Sequence, residues 1–348
     1  MEGLSLILLK SLVIIIAIFC LLPFLSYFER KCAAGIQNRI GPNRVGPQGL
    51  LQPLADFFKF LFKENKLPRG SRKWLYHFSP LAVFVVSLAP LAVIPICEPF
   101  YFNGAKIYPE VFHSELGFFS LLALTSLLPF CFFIAGWASN SKYSFLGALR
   151  SGTQLVSYQM VVIIITCTLF FLYQSVDLHL ISQAQMGVFP IGLPEWGLFK
   201  QPLAAGIFLI CLFAQARGLP FDFGEADSEL CGGYQAEYSS LNYAFFKISN
   251  YIQMTVLCCF FTFLFLGGYG LLSGMGGLVS YWPEGLYVIQ AVSFSVKVMA
   301  LLFLFIIVRW SMPRFRYDQL MTFSWKILFP LSLINLLGTV LFSYYRSF

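Results

Sequence analysis

One stretch of this sequence crowds side chains that could do chemistry: Arg217–Tyr243, RGLPFDFGEADSELCGGYQAEYSSLNY. Five of the chain's 16 acidic residues fall inside it, Asp222, Glu225, Asp227, Glu229 and Glu237, and Arg217 is the only cation there to offset them. Clustered carboxylates repel, so some should hold a proton above the ordinary carboxylate range. Such a group exchanges protons near neutral pH. Phe221, Phe223, Tyr234 and Tyr238 are interleaved with the acids, as are four glycines, which points to an ordered, partly buried surface rather than a solvated turn. Two roles fit this pattern. One is a proton relay at a membrane boundary; the other is a docking site for a basic partner.

Other candidates are sparse. Lys297 lies near the centre of a long apolar run. A charge at that depth is costly and normally faces the protein interior, so Lys297 either is a functional group paired with a carboxylate, or it snorkels or bonds a backbone carbonyl. Gln154 and Gln159 sit in another apolar run, where buried amides usually bond neighbouring helices. Arg309, Arg314 and Arg316 surround Asp318, a pattern that predicts an internal ion-pair cluster. The nine cysteines are scattered without a CxxC and read as small packed hydrophobes. His77, His113 and His179 have no metal-ligand spacing, so no metal site is expected.

The elements that must position these residues follow from composition. Of 348 residues, 58% are hydrophobic and 11% charged, and mean hydropathy is +0.75. A soluble domain carries about 25% charged residues. The apolar runs are continuous rather than alternating, which excludes a barrel. The expected fold is an all-α integral membrane protein, a single membrane domain over 1–348, with eight transmembrane helices plus one interfacial amphipathic helix. The spans are predicted near 4–28, 79–97, 116–138, 152–174, 201–216, 244–268, 286–309 and 327–345, the fifth being the shortest. Leu4–Phe28 is too long for a signal-peptide core and is read as the first membrane helix.

The net charge of +7 is read as topology-setting cations rather than as a nucleic-acid footprint. Seventeen of the 23 basic residues fall in the loops after spans one, three, five and seven. The positive-inside rule puts those loops, the acidic stretch among them, on the inner face and both termini on the outer (P) side. In the first inner loop, RIGPNRVGPQ presents Arg39 and Arg44 on a backbone stiffened by two Gly-Pro pairs. The segment 51–63 then has helical spacing, with Leu51, Leu54, Phe58, Leu61 and Phe62 on one face and Asp56, Lys59 and Lys63 on another. It is too short to span and is expected to lie in the interface plane. It serves either as a surface anchor or as one wall of an access portal for a lipid-soluble molecule.

Taken together, the motifs resemble the NADH dehydrogenase subunit 1 family, whose bacterial members are the H-type membrane subunits of respiratory complex I. The matching segments are Glu29–Lys31 (ERK), Gln37–Gln52 (QNRIGPNRVGPQGLLQ), Gly136–Arg150 (GWASNSKYSFLGALR), Pro220–Ser239 (PFDFGEADSELCGGYQAEYS) and Pro313–Leu320 (PRFRYDQL). They occur in the family's order and cover essentially the whole chain. The resemblance implies eight membrane helices and no flavin, metal or iron–sulfur cluster bound by this chain; FMN and iron–sulfur clusters would belong to partner subunits. It implies a quinone substrate entering from the bilayer between the first helix, the interfacial helix and the sixth helix. Arg39, Arg44, Asp56, Lys63 and Phe221 would form the portal and chamber. Asp222, Glu225, Asp227, Glu229 and Glu237 would pass the charge change at the quinone toward proton-pumping subunits. The implied partners are the peripheral quinone-module subunits and the small membrane subunits, and the implied location is an energy-transducing membrane, the bacterial inner membrane first and an organellar one second.

Two departures from the family pattern bear on proton transfer. Gln159 stands where the family usually has Glu, and Gln215 stands where many members have Glu. An amide can bond a water wire but cannot give up or take a proton. The Arg of the following Asn-Arg is displaced by one, to Arg217, Gly224 replaces a usual Pro, and Asp227 a usual Glu. The expectation is a retained quinone chamber with an interrupted carboxylate path. Related alternatives are the equivalent component of a ferredoxin-fed or coenzyme-F420-linked quinone oxidoreductase, or of a membrane-bound hydrogenase. From other classes come a pure scaffold and a stand-alone transporter; the latter is disfavoured by the lack of an inverted repeat.

Overall fold

The computed structural model describes residues 4–102, 105–187, 194–272 and 285–346. In chain order, the helices are α1 (Leu4–Ile36), α2 (Gln52–Phe62), α3 (Lys73–Leu88), α4 (Gly117–Ser126), α5 (Leu128–Ala138), α6 (Lys142–Tyr173), α7 (Leu178–Gln183), α8 (Gly197–Lys200), α9 (Pro202–Gln215), α10 (Asp227–Leu230), α11 (Ser240–Phe265), α12 (Leu286–Ser311), α13 (Tyr317–Phe323) and α14 (Phe329–Arg346). The all-helical expectation needs one amendment. A short antiparallel hairpin, β1 (Phe100–Phe102) and β2 (Ala105–Ile107), pairs Phe100 with Ile107 between α3 and α4.

Among the described residues, seven helical stretches are long and apolar enough to cross a membrane: Ser5–Ile36, Lys73–Ala92, Gly117–Ala138, Lys142–Tyr173, Ser240–Phe265, Leu286–Ser311 and Tyr317–Tyr345. The run predicted at 201–216 forms α9. Its 14 residues reach only about 21 Å against a hydrocarbon core of about 30 Å. Pro129, which has no N–H to give to the preceding turn, splits the third run into α4 and α5 at Leu127. α6 starts at Lys142, well before the expected 152, so Arg150 and Gln154 lie inside the helix rather than at its mouth.

α11 is the centre of the bundle. In its most apolar window 83% of residues are buried, against 11% in α1 and 17% in the last stretch, so those two need lipid over their outward faces. Leu8, Leu9, Leu12 and Ile16 on α1, and Leu337, Leu341 and Phe342 on α14, are exposed accordingly. Phe208 of α9 meets Phe260, Phe261 and Phe265 of α11, and Phe213 stacks near Phe305 of α12. α2 has no buried residue and exposes Leu54, Phe57, Phe58, Leu61 and Phe62, as an interfacial helix would. The Gly-rich segment expected at 267–285 lies outside the described residues beyond 272.

Candidate functional site

The acidic stretch folds back against α6 as an ordered loop. Gln154 of α6, itself buried, donates through Nε2 to the carbonyls of Ala214 and Phe221, each at 2.8 Å. Ser144 donates to the carbonyl of Tyr234 at 3.2 Å. Gly147 lets the loop sit down on the helix: a Cβ there would lie 2.7 Å from Gly233 Cα and 2.8 Å from Tyr234 N. Gly233 has φ +59°, a conformation that favours glycine. The motif around Gly136–Arg150 thus acts as the seat of the acidic loop.

Glu225 is the hub. Its Oε1 accepts from Tyr234 Oη at 2.6 Å, Gln235 Nε2 at 2.6 Å and Asn250 Nδ2 at 2.9 Å; its Oε2 meets Lys247 Nζ at 2.8 Å. Burial alone would raise its carboxyl, but the Lys247 ammonium and the hydrogen bonds outweigh it and hold Glu225 well below the usual range. Arg217, with φ +53°, donates to Tyr234 Oη at 3.1 Å, Asn250 Oδ1 at 2.6 Å and Gln253 Oε1 at 3.0 Å, and its guanidinium lies 3.8 Å from the Phe132 ring centroid. Asp222 behaves in the opposite way. Burial first, and then the charge of Glu225, raise its carboxyl to about 6 against the pull of Arg314, Lys247 and Arg309. Asp222 Oδ1 has no hydrogen-bond partner in the chain, while its main-chain carbonyl accepts from Arg314.

The remaining acids of the stretch are placed less centrally. Glu229 pairs with Arg150 at 2.5 Å on an exposed edge. Glu237 gives its carbonyl to Tyr76 Oη at 2.7 Å. Asp227 opens α10, and its side chain lies outside the described residues.

Two cavities meet here. The first, about 430 Å3, is apolar; Phe19, Leu22 and Pro23 of α1, Leu54 and Phe57 of α2 and Ile248 of α11 line it, with Arg30 and Asp56 at its rim. Arg30 and Asp56 pair at 2.6 Å and tie α1 to α2. The second, about 350 Å3, is polar and is lined by Lys63, Asp222, Glu225, Gln235 and Arg309 among others. Phe60, Tyr243 and Lys247 border both. Of the residues expected to form portal and chamber, Asp56 and Lys63 therefore stand on these cavities. Arg39 and Arg44 are exposed on the Gly-Pro loop and line neither; Arg39 bonds Gln37 at 2.6 Å. Phe221 turns away, toward Phe315 and Tyr158, and lines a separate apolar cavity of about 540 Å3.

Inside the bundle, Gln215 Nε2 donates to Gln159 Oε1 at 2.7 Å, and Gln159 Nε2 faces Leu122 O and Thr125 Oγ1 at 3.4 Å. The two amides are thus partners, which spacing did not reveal. Lys297 bonds backbone carbonyls rather than a carboxylate. Its ammonium donates to the carbonyls of Gly268 and Gly270, at 3.0 and 2.6 Å, and lies 5.3 Å from the Trp196 ring, at the end of the bundle opposite the acidic loop. The ion-pair cluster expected around Asp318 does not form among the described residues. Arg309 instead reaches across to Glu29 of α1 at 2.9 Å, where Tyr251 also donates at 2.7 Å, and Arg314 is taken by the Asp222 carbonyl.

Three participants were missed by reading the stretch alone: Lys247, Glu29 and Arg309. The signal was the uncompensated charge. Five acids with one internal cation require neutralisation from elsewhere; Arg150 of α6 answers Glu229 and Lys247 of α11 answers Glu225, while Arg309 of α12 pairs with Glu29.

Comparison with known proteins gives the family of the chain. The family described as NADH dehydrogenase matches residues 9–340. An H-type component of NADH-quinone oxidoreductase from Geobacter metallireducens is 38% identical over 330 residues, covering 95% of this chain and 94% of the relative. Subunit 8 of NADH-quinone oxidoreductase from Rhodothermus marinus is 37% identical, covering 96% and 97%. The H-type component from Flavobacterium psychrophilum is 36% identical, covering 94% and 95%. With a family match over nearly its whole length and relatives of this similarity along it, the chain belongs to the NADH dehydrogenase family, as a multi-pass membrane member of the H type.

Proposed function

We propose that this chain is the membrane subunit of a proton-translocating NADH:quinone oxidoreductase and forms the membrane side of its quinone chamber. The observation that carries this reading is the pair of adjoining cavities. An apolar one opens between α1, α2 and α11, and it shares Phe60, Tyr243 and Lys247 with a polar one that holds Asp222 and Glu225. A lipid-soluble quinone needs both: an apolar path for its tail and polar groups at its head. Reduction of the head adds electrons and then protons. In this reading the electrons come from an iron–sulfur cluster of a partner subunit, and this chain contributes binding, orientation and charge. Asp222, raised toward neutral pH, is the group suited to exchanging a proton, while Glu225 stays ionised and answers charge changes through Lys247 and Arg217.

In the same reading α9 serves as the eighth membrane helix, tilted little and covered at its outer end by α8. Both termini then lie on the P side of a bacterial inner membrane. The peripheral quinone-module subunits sit on the face that carries α2 and the acidic loop, and small membrane subunits pack along the bundle. The chain supplies no flavin or iron–sulfur ligand of its own. The Gln159–Gln215 pair interrupts the carboxylate path inside the membrane, since neither amide can carry a proton.

A photoreactive quinone analogue tests the chamber. In the assembled complex, labelling should fall on 37–63 and 221–237 and be competed by quinone. A complex that still reduces quinone while labelling elsewhere would overturn the chamber in favour of a scaffold that holds the peripheral subunits.

A further inference from the structure

At the end of the bundle opposite the acidic loop, three residues from two separate segments converge. Glu110 and His113 lie on the segment between β2 and α4, and His179 on the first turn of α7. Glu110 Oε1 is 2.7 Å from His113 Nδ1 and 3.1 Å from His179 Nε2, and Glu110 Oε2 is 3.2 Å from the same Nε2. One ligand-type atom from each residue lies within 4.8 Å of the others. Glu110 and His179 are buried, with 2% and 6% exposure, while His113 is half-buried.

Each member is held in place by a neighbour. The Asp177 carboxylate caps α7 by accepting from His179 N at 3.0 Å. Tyr108 stacks on the His113 ring at 3.7 Å between centroids. Lys10 Nζ donates to the Glu110 carbonyl at 3.2 Å. Tyr269 Oη stands 3.5 Å from His179 Nδ1, on the side of the ring away from the cluster. A histidine that binds a metal through one nitrogen usually has its other nitrogen held in this way. A hydroxyl accepts or donates, so it suits either tautomer of His179.

We propose that Glu110, His113 and His179 form a divalent-cation site of the zinc type, which ties the segment carrying the β1–β2 hairpin to α7. Two imidazoles with a carboxylate suit zinc and its transition-metal neighbours; an all-oxygen set would suit calcium or magnesium. Three protein ligands leave a fourth position for water, and the half-buried His113 marks the side from which water reaches it. With bonds of about 2.0 Å, tetrahedral ligand atoms stand roughly 3.3 Å apart. The Glu110 spacings of 2.7–3.2 Å are those of hydrogen bonds and would lengthen slightly around a metal, while the two imidazole nitrogens, within 4.8 Å of each other, would have to converge on it by a shift of the half-buried His113.

The test uses the assembled, detergent-solubilised complex, stripped with chelator and then equilibrated with buffered Zn2+. Zinc per complex, read by mass spectrometry, should be one equivalent higher in the wild type than in the Glu110→Gln, His113→Ala and His179→Ala forms. His113→Cys, which restores a ligand but not the imidazole hydrogen bond, should recover that equivalent. X-ray absorption of the wild-type increment should show imidazole scattering. If His113→Ala, at the most exposed of the three positions, takes up as much zinc as the wild type, the proposal fails and the cluster is a histidine–carboxylate hydrogen-bond network. Should the buried substitutions prevent assembly, the His113 pair alone decides.

Discussion

The opposed behaviour of Asp222 and Glu225 makes a sharp prediction about Glu225→Gln. Asp222 is raised to about 6, first by burial and second by the charge of Glu225. Glu225 is ionised throughout the relevant range, so its removal takes away a full negative charge. Both residues line one cavity; two unit charges roughly 9 Å apart at an effective dielectric of about 20 repel by about 1.8 kcal/mol, or about 1.3 pKa units. The substitution also frees Lys247, a cation that already pulls Asp222 downward, so both effects have the same sign. The Asp222 midpoint should therefore fall from about 6 to below about 5. Infrared titration reads this directly: the protonated-carboxyl band that disappears in Asp222→Asn is followed against pH in the wild type and in Glu225→Gln. A midpoint that stays in place would mean that burial alone raises Asp222. A midpoint that rises would refute the charge network as described.

Asp222→Asn itself should stabilise the complex, and more so at high pH. A carboxyl raised in the folded state favours folding below its unfolded value near 3.8 and loses that contribution as pH rises through about 6. The melting temperature should thus gain more at pH 8 than at pH 5, with a difference of about 1.4 kcal/mol between the two; an equal gain at both would remove the ionisation argument. Gly147→Ala should lift the acidic loop off α6 and cost most of the quinone-reductase activity, whereas Gly206→Ala, with no atom within 4 Å of the added methyl, should leave it intact. Gln159→Glu places an ionisable group against Gln215 and should raise the protons moved per quinone in reconstituted vesicles. A ratio unchanged from the parent would sink the interrupted-path reading.

Much of the architecture was legible because membrane solvent forces it. Backbone groups in hydrocarbon must bond internally, so long apolar runs had to be helices. The short helix after the Gly-Pro loop was legible from its two-faced spacing, and Gln52–Phe62 follows the predicted 51–63 closely. What spacing could not supply was the ends and breaks. α6 runs outward to Lys142 because its first turns pack on the acidic loop, not on lipid, so hydropathy underestimates it. Pro129 breaks a run that composition alone reads as continuous.

The site was legible as a count of charges and not as a geometry. Five carboxylates with one internal cation demanded compensation, but only the fold could say that Lys247 answers Glu225, Arg150 answers Glu229 and Arg309 goes to Glu29 instead. The same limit hid the Glu110–His113–His179 cluster, because ligand spacing along a chain detects only sites built from one element. Arg39 and Arg44 show the converse. Their motif is specific, yet within this chain they stand exposed and line neither cavity. A conspicuous motif on a rigid loop is the pattern expected of a surface that a partner protein covers. The aromatic residues on the two cavities, by contrast, such as Phe19, Phe57, Phe60 and Tyr243, are ordinary in sequence and acquire meaning only from where α1, α2 and α11 bring them.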